Sequence, residues 1–173
     1  LYTKGWKIVW LATEGGMENR LIADKPYSKA MMTMRGVRGK GLMGWVLLPF
    51  KLMLAFQQSL SAILAHKPDV VLGMGGFAAF PGGMMAKLMG KPLVIHEQNS
   101  VAGLTNKTLS YVANKVLAAF PAAFGDKATL VGNPVRDDIT TLALPETRYA
   151  EKTGKLKLLV VGGSLGAAAL NDV

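Results

Sequence analysis

Residues 69–107 read DVVLGMGGFAAFPGGMMAKLMGKPLVIHEQNSVAGLTNK, and this stretch decides the fold. Two short apolar runs, Val70 to Leu72 and Leu93 to Ile95, each end in a cluster that a buried core does not select. Gly73-Met74-Gly75-Gly76 follows the first run and His96-Glu97-Gln98-Asn99 the second. Each cluster leads into a segment that can be helical. An apolar run, a polar or glycine turn and then a helix is how an open parallel sheet presents its ligand edge, because ligands sit in the crevice outside the carboxyl ends of the strands. The expected class is therefore α/β, a parallel sheet with helices on both faces.

Working outward, the same unit recurs. Upstream, Lys7 to Ala12 is a strand, Met17 to Ile22 a brief helix, and Lys29 to Met34 a second extended run. The basic, glycine-punctuated loop Arg35 to Gly41 precedes an apolar run, Leu42 to Phe56, that continues as a helix to His66. That run of 15 residues, interrupted by Pro49 and Lys51, falls short of the roughly 20 needed to span a bilayer. It is apolar on nearly every face of its first half. Downstream of Ile95, Leu104 to Lys115 is expected as helix, with strands at Val116 to Ala118 and Thr129 to Val131. Residues 140–155 are polar, carry Pro145 and Gly154 and lack an apolar period, as a linker would. Lys157 to Val161 then starts a new strand, followed by Gly162-Gly163-Ser164-Leu165-Gly166-Ala167. The expected division is residues 1–139, a linker over 140–155, and the start of a second domain at 156–173.

Composition narrows the classes. Half of the 173 residues are hydrophobic and 18% are charged, which excludes a disordered polyelectrolyte. With no cysteine there is no disulfide framework, thiolate metal site or thiol nucleophile. The formal charge of +9 favours a polyanionic partner, whether nucleic acid, an anionic membrane surface or a phosphorylated ligand. The chain starts without Met on what reads as the end of a helix and stops just after a glycine turn, so a fragment cut at both ends is expected.

Gly73 to Ala78 fits G-x-G-x-x-A after a strand, and Glu97 follows a little over 20 residues on, the formal pattern of a dinucleotide site. Pro81-Gly82-Gly83 argues against a nicotinamide cofactor, because it would break the helix that should begin there. The physical content that survives is backbone N–H groups facing an anionic or hydroxylated ligand. The bland alternative is a turn that is glycine-rich for tight packing. A second glycine turn at Gly162 to Ala167 points to a diphosphate held between two α/β domains. No Gly-Lys pair is followed by Ser or Thr, so P-loop phosphoryl transfer is not expected. Alternation along a strand end would send half of His96, Glu97, Gln98 and Asn99 into the crevice. His66 reads as a helix-end residue, and with no D-x-D motif or histidine pair no metal is expected. The Arg35 to Phe56 region reads in two ways: Arg38, Lys40, Leu42 and Trp45 form a membrane-surface patch, or the segment is a solvated loop and a core helix.

GMGGFAAFPGG, HEQNSVAGLTNK, VGNPVR and VGGSLGA, in this order and spacing, resemble the MurG family of bacterial transferases. The resemblance covers residues from about Gly5 to Asn171. It implies two Rossmann-like domains facing across a cleft, the glycosyltransferase B arrangement, of which this chain carries most of the first and the start of the second. The implied reaction moves N-acetylglucosamine from UDP-N-acetylglucosamine to the 4-hydroxyl of undecaprenyl-diphospho-muramoylpentapeptide, with inversion and without a metal or other cofactor. By the same likeness Asn99, Arg136 and Ser164 fall on the donor, and Gly75, Gly76, Phe77, Gly82 and Gly83 shape the acceptor diphosphate site. Glu97 and His96 become the candidates for organising the acceptor hydroxyl. The likeness favours the membrane reading, with anionic inner-leaflet lipids as partners at the cytoplasmic face and no nucleic acid. Phe77 departs from the family's frequent tyrosine, and the family's first glycine loop with its histidine would precede Leu1. The chain alone is expected to be inactive. The competing readings are an NAD(P)-binding oxidoreductase domain using Gly73 to Ala78 with Glu97, and a non-enzymatic membrane-surface module.

Overall fold

The computed structural model describes residues 1–16, 18–33, 47–150 and 154–155. The basic loop with Arg38 and Lys40, then Leu42 and Trp45, the strand expected from Lys157 and the second glycine turn with Ser164 lie outside the described residues. The chain divides into two compact units, Leu1–Pro134 and Val135–Val173.

In the first unit the strands are β1 (Val9–Thr13), β2 (Ser28–Met32), β3 (Val71–Gly73), β4 (Leu93–Glu97), β5 (Lys115–Ala118) and β6 (Thr129–Leu130). Helices α1 (Glu18–Leu21), α2 (Leu48–His66), α3 (Ala79–Leu88) and α4 (Leu104–Leu109) fall between them. All strand pairs are parallel. Among the described residues the expected single sheet is present as two, β1-β2 and β3-β4-β5-β6. Parallel neighbours need a crossover connection, and α3 and α4 supply it for β3-β4 and β4-β5.

Helix α3 begins at Ala79 and contains Pro81, Gly82 and Gly83, which the sequence reads as a helix breaker. Pro81 is its third residue, where the missing N–H has no helical partner to lose. The two glycines are buried packing positions. A Cβ on Gly82 would stand 2.9 Å from Leu11 Cδ2 on β1, and one on Gly83 would stand 2.9 Å from Leu109 Cδ1 and 3.4 Å from Leu93 Cδ2. One helix therefore approaches both sheets, and the bare backbone at these positions permits it.

The main core gathers Leu93, Ile95, Leu109 and Val116, with Val71, Phe80 and Met84 against them. A smaller one joins Met32 and Ala55 to Leu11, Leu48, Leu52 and Phe77. Phe56 and Phe80 meet edge to face at 5.9 Å and link the two. Helix α2 ends on Lys67 in the left-handed region (φ 44°), its N–H held by Ile63 O. By length and composition α2 could cross a membrane, but Gln58 ties it to the domain through hydrogen bonds with Thr33. Leu48, Leu52 and Ala55 pack inward, while Phe50 and Met53 are about two-thirds exposed.

Helix α4 is shorter than the expected Leu104 to Lys115. Asn114 donates its N–H to Leu93 O and accepts the Leu93 N–H on Oδ1 (3.0 Å), which diverts the backbone into β5. In the second unit, α5 (Asp137–Thr140) ends where the stretch that reads as a linker begins, and α6 (Pro145–Tyr149) lies within that stretch.

Candidate functional site

The carboxyl ends of β3 and β4 carry the two clusters that the sequence singles out. After β3 the backbone enters the left-handed region twice, at Gly75 (φ 83°) and Gly76 (φ 76°), conformations that a Cβ disfavours. Among the described residues the N–H groups of Met74, Gly75 and Gly76 enter no backbone hydrogen bond. Helix α3 starts three residues later with no side-chain cap on its first turn. Unpaired N–H groups and the positive end of a helix dipole thus converge at one turn, an arrangement suited to an anionic group. Phe77 turns away into the smaller core. Of the five residues expected on the acceptor side, Gly75 and Gly76 lie in the turn at the carboxyl end of β3, whereas Phe77, Gly82 and Gly83 are packed within the domain.

Strand β4 runs two residues further than expected, so His96 and Glu97 belong to it, 5% and 2% exposed. These polar groups are buried because each is fully partnered. The Glu97 carboxylate accepts four hydrogen bonds. Asn99 donates its N–H (3.0 Å) and Nδ2 (2.9 Å) to Oε1, and Gly103 N–H (3.1 Å) and Asn106 Nδ2 (2.9 Å) reach Oε2. Burial by itself raises this carboxyl's pKa. The hydrogen bonds from Asn106, from the Asn99 and Gly103 N–H groups and from the Asn99 side chain outweigh it and hold the group below its ordinary value.

His96 is engaged at both ring nitrogens. Nε2 lies 2.9 Å from Gly132 O, a group that can only accept, so Nε2 carries the proton. Nδ1 then accepts from Gln98 Nε2 at 3.2 Å. Asn133 Nδ2 donates to Gln98 O (3.1 Å), a second tie between this loop and the Gly132-Asn133 turn. Asn99 is exposed beside them. Arg136 lies in the second unit, largely exposed, with Asp138 at 3.9 Å.

Asn106 is the residue that sequence reasoning missed. It is 1% exposed, and its Nδ2 donates to His96 O (3.0 Å) as well as to Glu97. A Cβ on Gly75 would stand 3.4 Å from that nitrogen, so Asn106 is the piece that joins the glycine turn to the Glu97 loop. Its spacing carried the signal: Leu109, three residues on, is a core residue, and i, i+3 positions share a helix face. Among the described residues no three His, Cys, Asp or Glu side chains gather as metal ligands.

A parallel α/β domain with a glycine turn and a hydrogen-bonded polar loop at the carboxyl ends of its strands is a Rossmann-like domain. The chain belongs to the glycosyltransferase family 28 N-terminal domain family, which matches residues 1–118. It is 55% identical over 175 residues to the UDP-N-acetylglucosamine--N-acetylmuramyl-(pentapeptide) pyrophosphoryl-undecaprenol N-acetylglucosamine transferase of Nitrosospira multiformis, covering 100% of this chain and 49% of that protein. The protein of that name from Ralstonia nicotianae is 54% identical over 173 residues, 100% of this chain and 47% of its own length. The crystal structure of Acinetobacter baumannii MurG superposes with a TM-score of 0.75 at 40% identity, over 99% of this chain and 48% of that one. The fold is accordingly that of the N-terminal half of a glycosyltransferase B enzyme. The chain spans about half the length of the curated relatives it matches.

The buried carboxylate gives the fold a defined acid response. The folded pKa of Glu97 lies below the ordinary 4.5, so on acidification the unfolded chain takes up the proton first. Its stabilisation is complete well above 4.5 and is lost as pH falls through the lowered folded value. Glu97→Gln should be less stable than the parent at pH 7, by about 2 kcal/mol, and the gap should narrow below about pH 4.5. Melting temperatures against pH measure it, and a constant gap would contradict this reading.

Proposed function

We propose that this chain is the acceptor-side domain of an N-acetylglucosaminyltransferase acting on a lipid-linked diphospho-muramoyl peptide, with UDP-N-acetylglucosamine as donor. The observation that carries the reading is the open turn at Gly75 and Gly76, backed by the uncapped start of α3 and set beside the Glu97 to Asn106 loop. Unpaired amides at a helix start suit the acceptor's diphosphate. The relatives, named for this transfer, supply the substrate class. Asn99 would face the donor from this domain, and Arg136 and Ser164 from beyond it.

In the proposed reaction the acceptor 4-hydroxyl oxygen bonds to the donor's anomeric carbon as the bond from that carbon to the UDP oxygen breaks. A base takes the hydroxyl proton, UDP leaves with the bonding electron pair, and the configuration inverts. Positive dipoles at helix starts can stabilise the departing diphosphate.

We also infer a peripheral seat on the cytoplasmic face of an anionic membrane, since the acceptor is a lipid. Phe50, Met53 and Leu54 on the first half of α2 are exposed apolar groups with Lys51 among them. They follow the Arg38, Lys40, Leu42 and Trp45 segment in the sequence, and apolar groups interspersed with cations are the composition of an interfacial patch.

In the full-length protein, UDP-N-acetylglucosamine at about 100 times its Kd should stabilise by about 2.7 kcal/mol, read as a raised melting temperature, while NAD leaves it unchanged. A rise with NAD instead would favour the oxidoreductase reading. Trp45→Glu and Lys40→Glu should each reduce sedimentation with anionic vesicles several-fold, and parent-like binding of both would refute the membrane seat.

A further inference from the structure

Two members of the polar cluster at the end of β4 are candidates for moving the acceptor's proton, yet each is already bound on every available site. The Glu97 carboxylate has about four lone-pair sites, and four donors from Asn99, Gly103 and Asn106 fill them. A base needs a lone pair directed at the hydroxyl within about 2.6–3.2 Å, and at 2% exposure Glu97 offers none. What the four bonds do is close a loop. Oε1 holds its beginning at Asn99, and Oε2 holds its end at Gly103, where α4 starts. Asn106, in the first turn of α4, donates to the carboxylate and lies beside Gly75, where a Cβ would stand 3.4 Å from its Nδ2.

We propose that Glu97, braced by Asn106, is a positioning residue that fixes the Asn99 to Gly103 loop against the Gly75-Gly76 turn and transfers no proton. This rests on the transferase reading above, and its consequence is that the base is held by another part of the full-length enzyme. Asn106 is essential to the arrangement because its amide can point only one way. Nδ2 faces two acceptors, His96 O and Glu97 Oε2, and exchanging Nδ2 and Oδ1 would set oxygen against oxygen at both. Asn106 thereby sets the distance between the loop that begins at Asn99 and the turn that would receive the diphosphate.

The test uses the full-length enzyme with Glu97→Gln and Asn106→Ala, read by kinetics against pH and by amide hydrogen exchange. As anchors, both variants should lose kcat/KM for the donor by similar factors of about 10 to 100. The acidic limb of the pH profile should keep the parent's midpoint in both. The Asn99 and Gly103 amides should exchange faster in both. If Glu97 is the base, Glu97→Gln costs up to about 10⁴ in kcat and abolishes the acidic limb. Asn106→Ala would then move that limb upward, by removing a hydrogen bond to the charged form. Either kinetic result, or parent-like exchange at Asn99 and Gly103, overturns the proposal. If Glu97→Gln does not fold, Asn106→Ala carries the limb and exchange readouts alone. A parent enzyme with no transferase turnover would fault the functional reading, while the exchange data would still decide the anchor.

Discussion

A single ionised carboxylate buried at the end of β4 organises the ligand edge of this domain. An isolated charge there would be strongly disfavoured, and four convergent donors make it tolerable. Because the donors come from Asn99, Gly103 and Asn106, satisfying the charge also folds the loop and sets the start of α4. The same logic governs His96, whose ring is fixed between Gly132 and Gln98. Loop geometry at this edge thus follows from electrostatic satisfaction more than from backbone propensity.

Glycine does two different jobs a few residues apart. At Gly75 and Gly76 it permits left-handed backbone, and their N–H groups enter no backbone hydrogen bond among the described residues. At Gly82 and Gly83 it lets α3 lie close against Leu11 on one sheet and against Leu93 and Leu109 on the other. The first pair shapes the crevice, and the second holds in place the helix whose start backs it. The turn can be this open because the helix behind it is locked by packing.

Much of the fold is legible in the sequence wherever the signal is local. Apolar runs ending in glycine or polar turns locate β1, β3, β4 and β5, and the parallel α/β class follows from their alternation with helices. Boundaries set by distant partners are not legible. Asn114 ends α4 by pairing with Leu93, 21 residues away. Pro81 reads as a helix breaker yet sits in a first turn, where its missing N–H costs nothing. At the site, the spacing of Gly75, Gly76 and the HEQN cluster marks the crevice. Whether His96 and Glu97 face a ligand or the interior depends on Asn106 and Gly132, which no pattern within HEQN reveals. Phe77, Gly82 and Gly83 carry the marks of a binding turn and serve packing.

The arrangement of this edge depends on the state of one side chain. A carbon-detected NMR titration of the Glu97 carboxyl in the folded protein measures it directly. The hydrogen-bond arrangement predicts a midpoint below the ordinary 4.5, with the Asn99 and Gly103 amide resonances moving in the same step. A midpoint raised toward neutrality, as a poised general base would show, would contradict it.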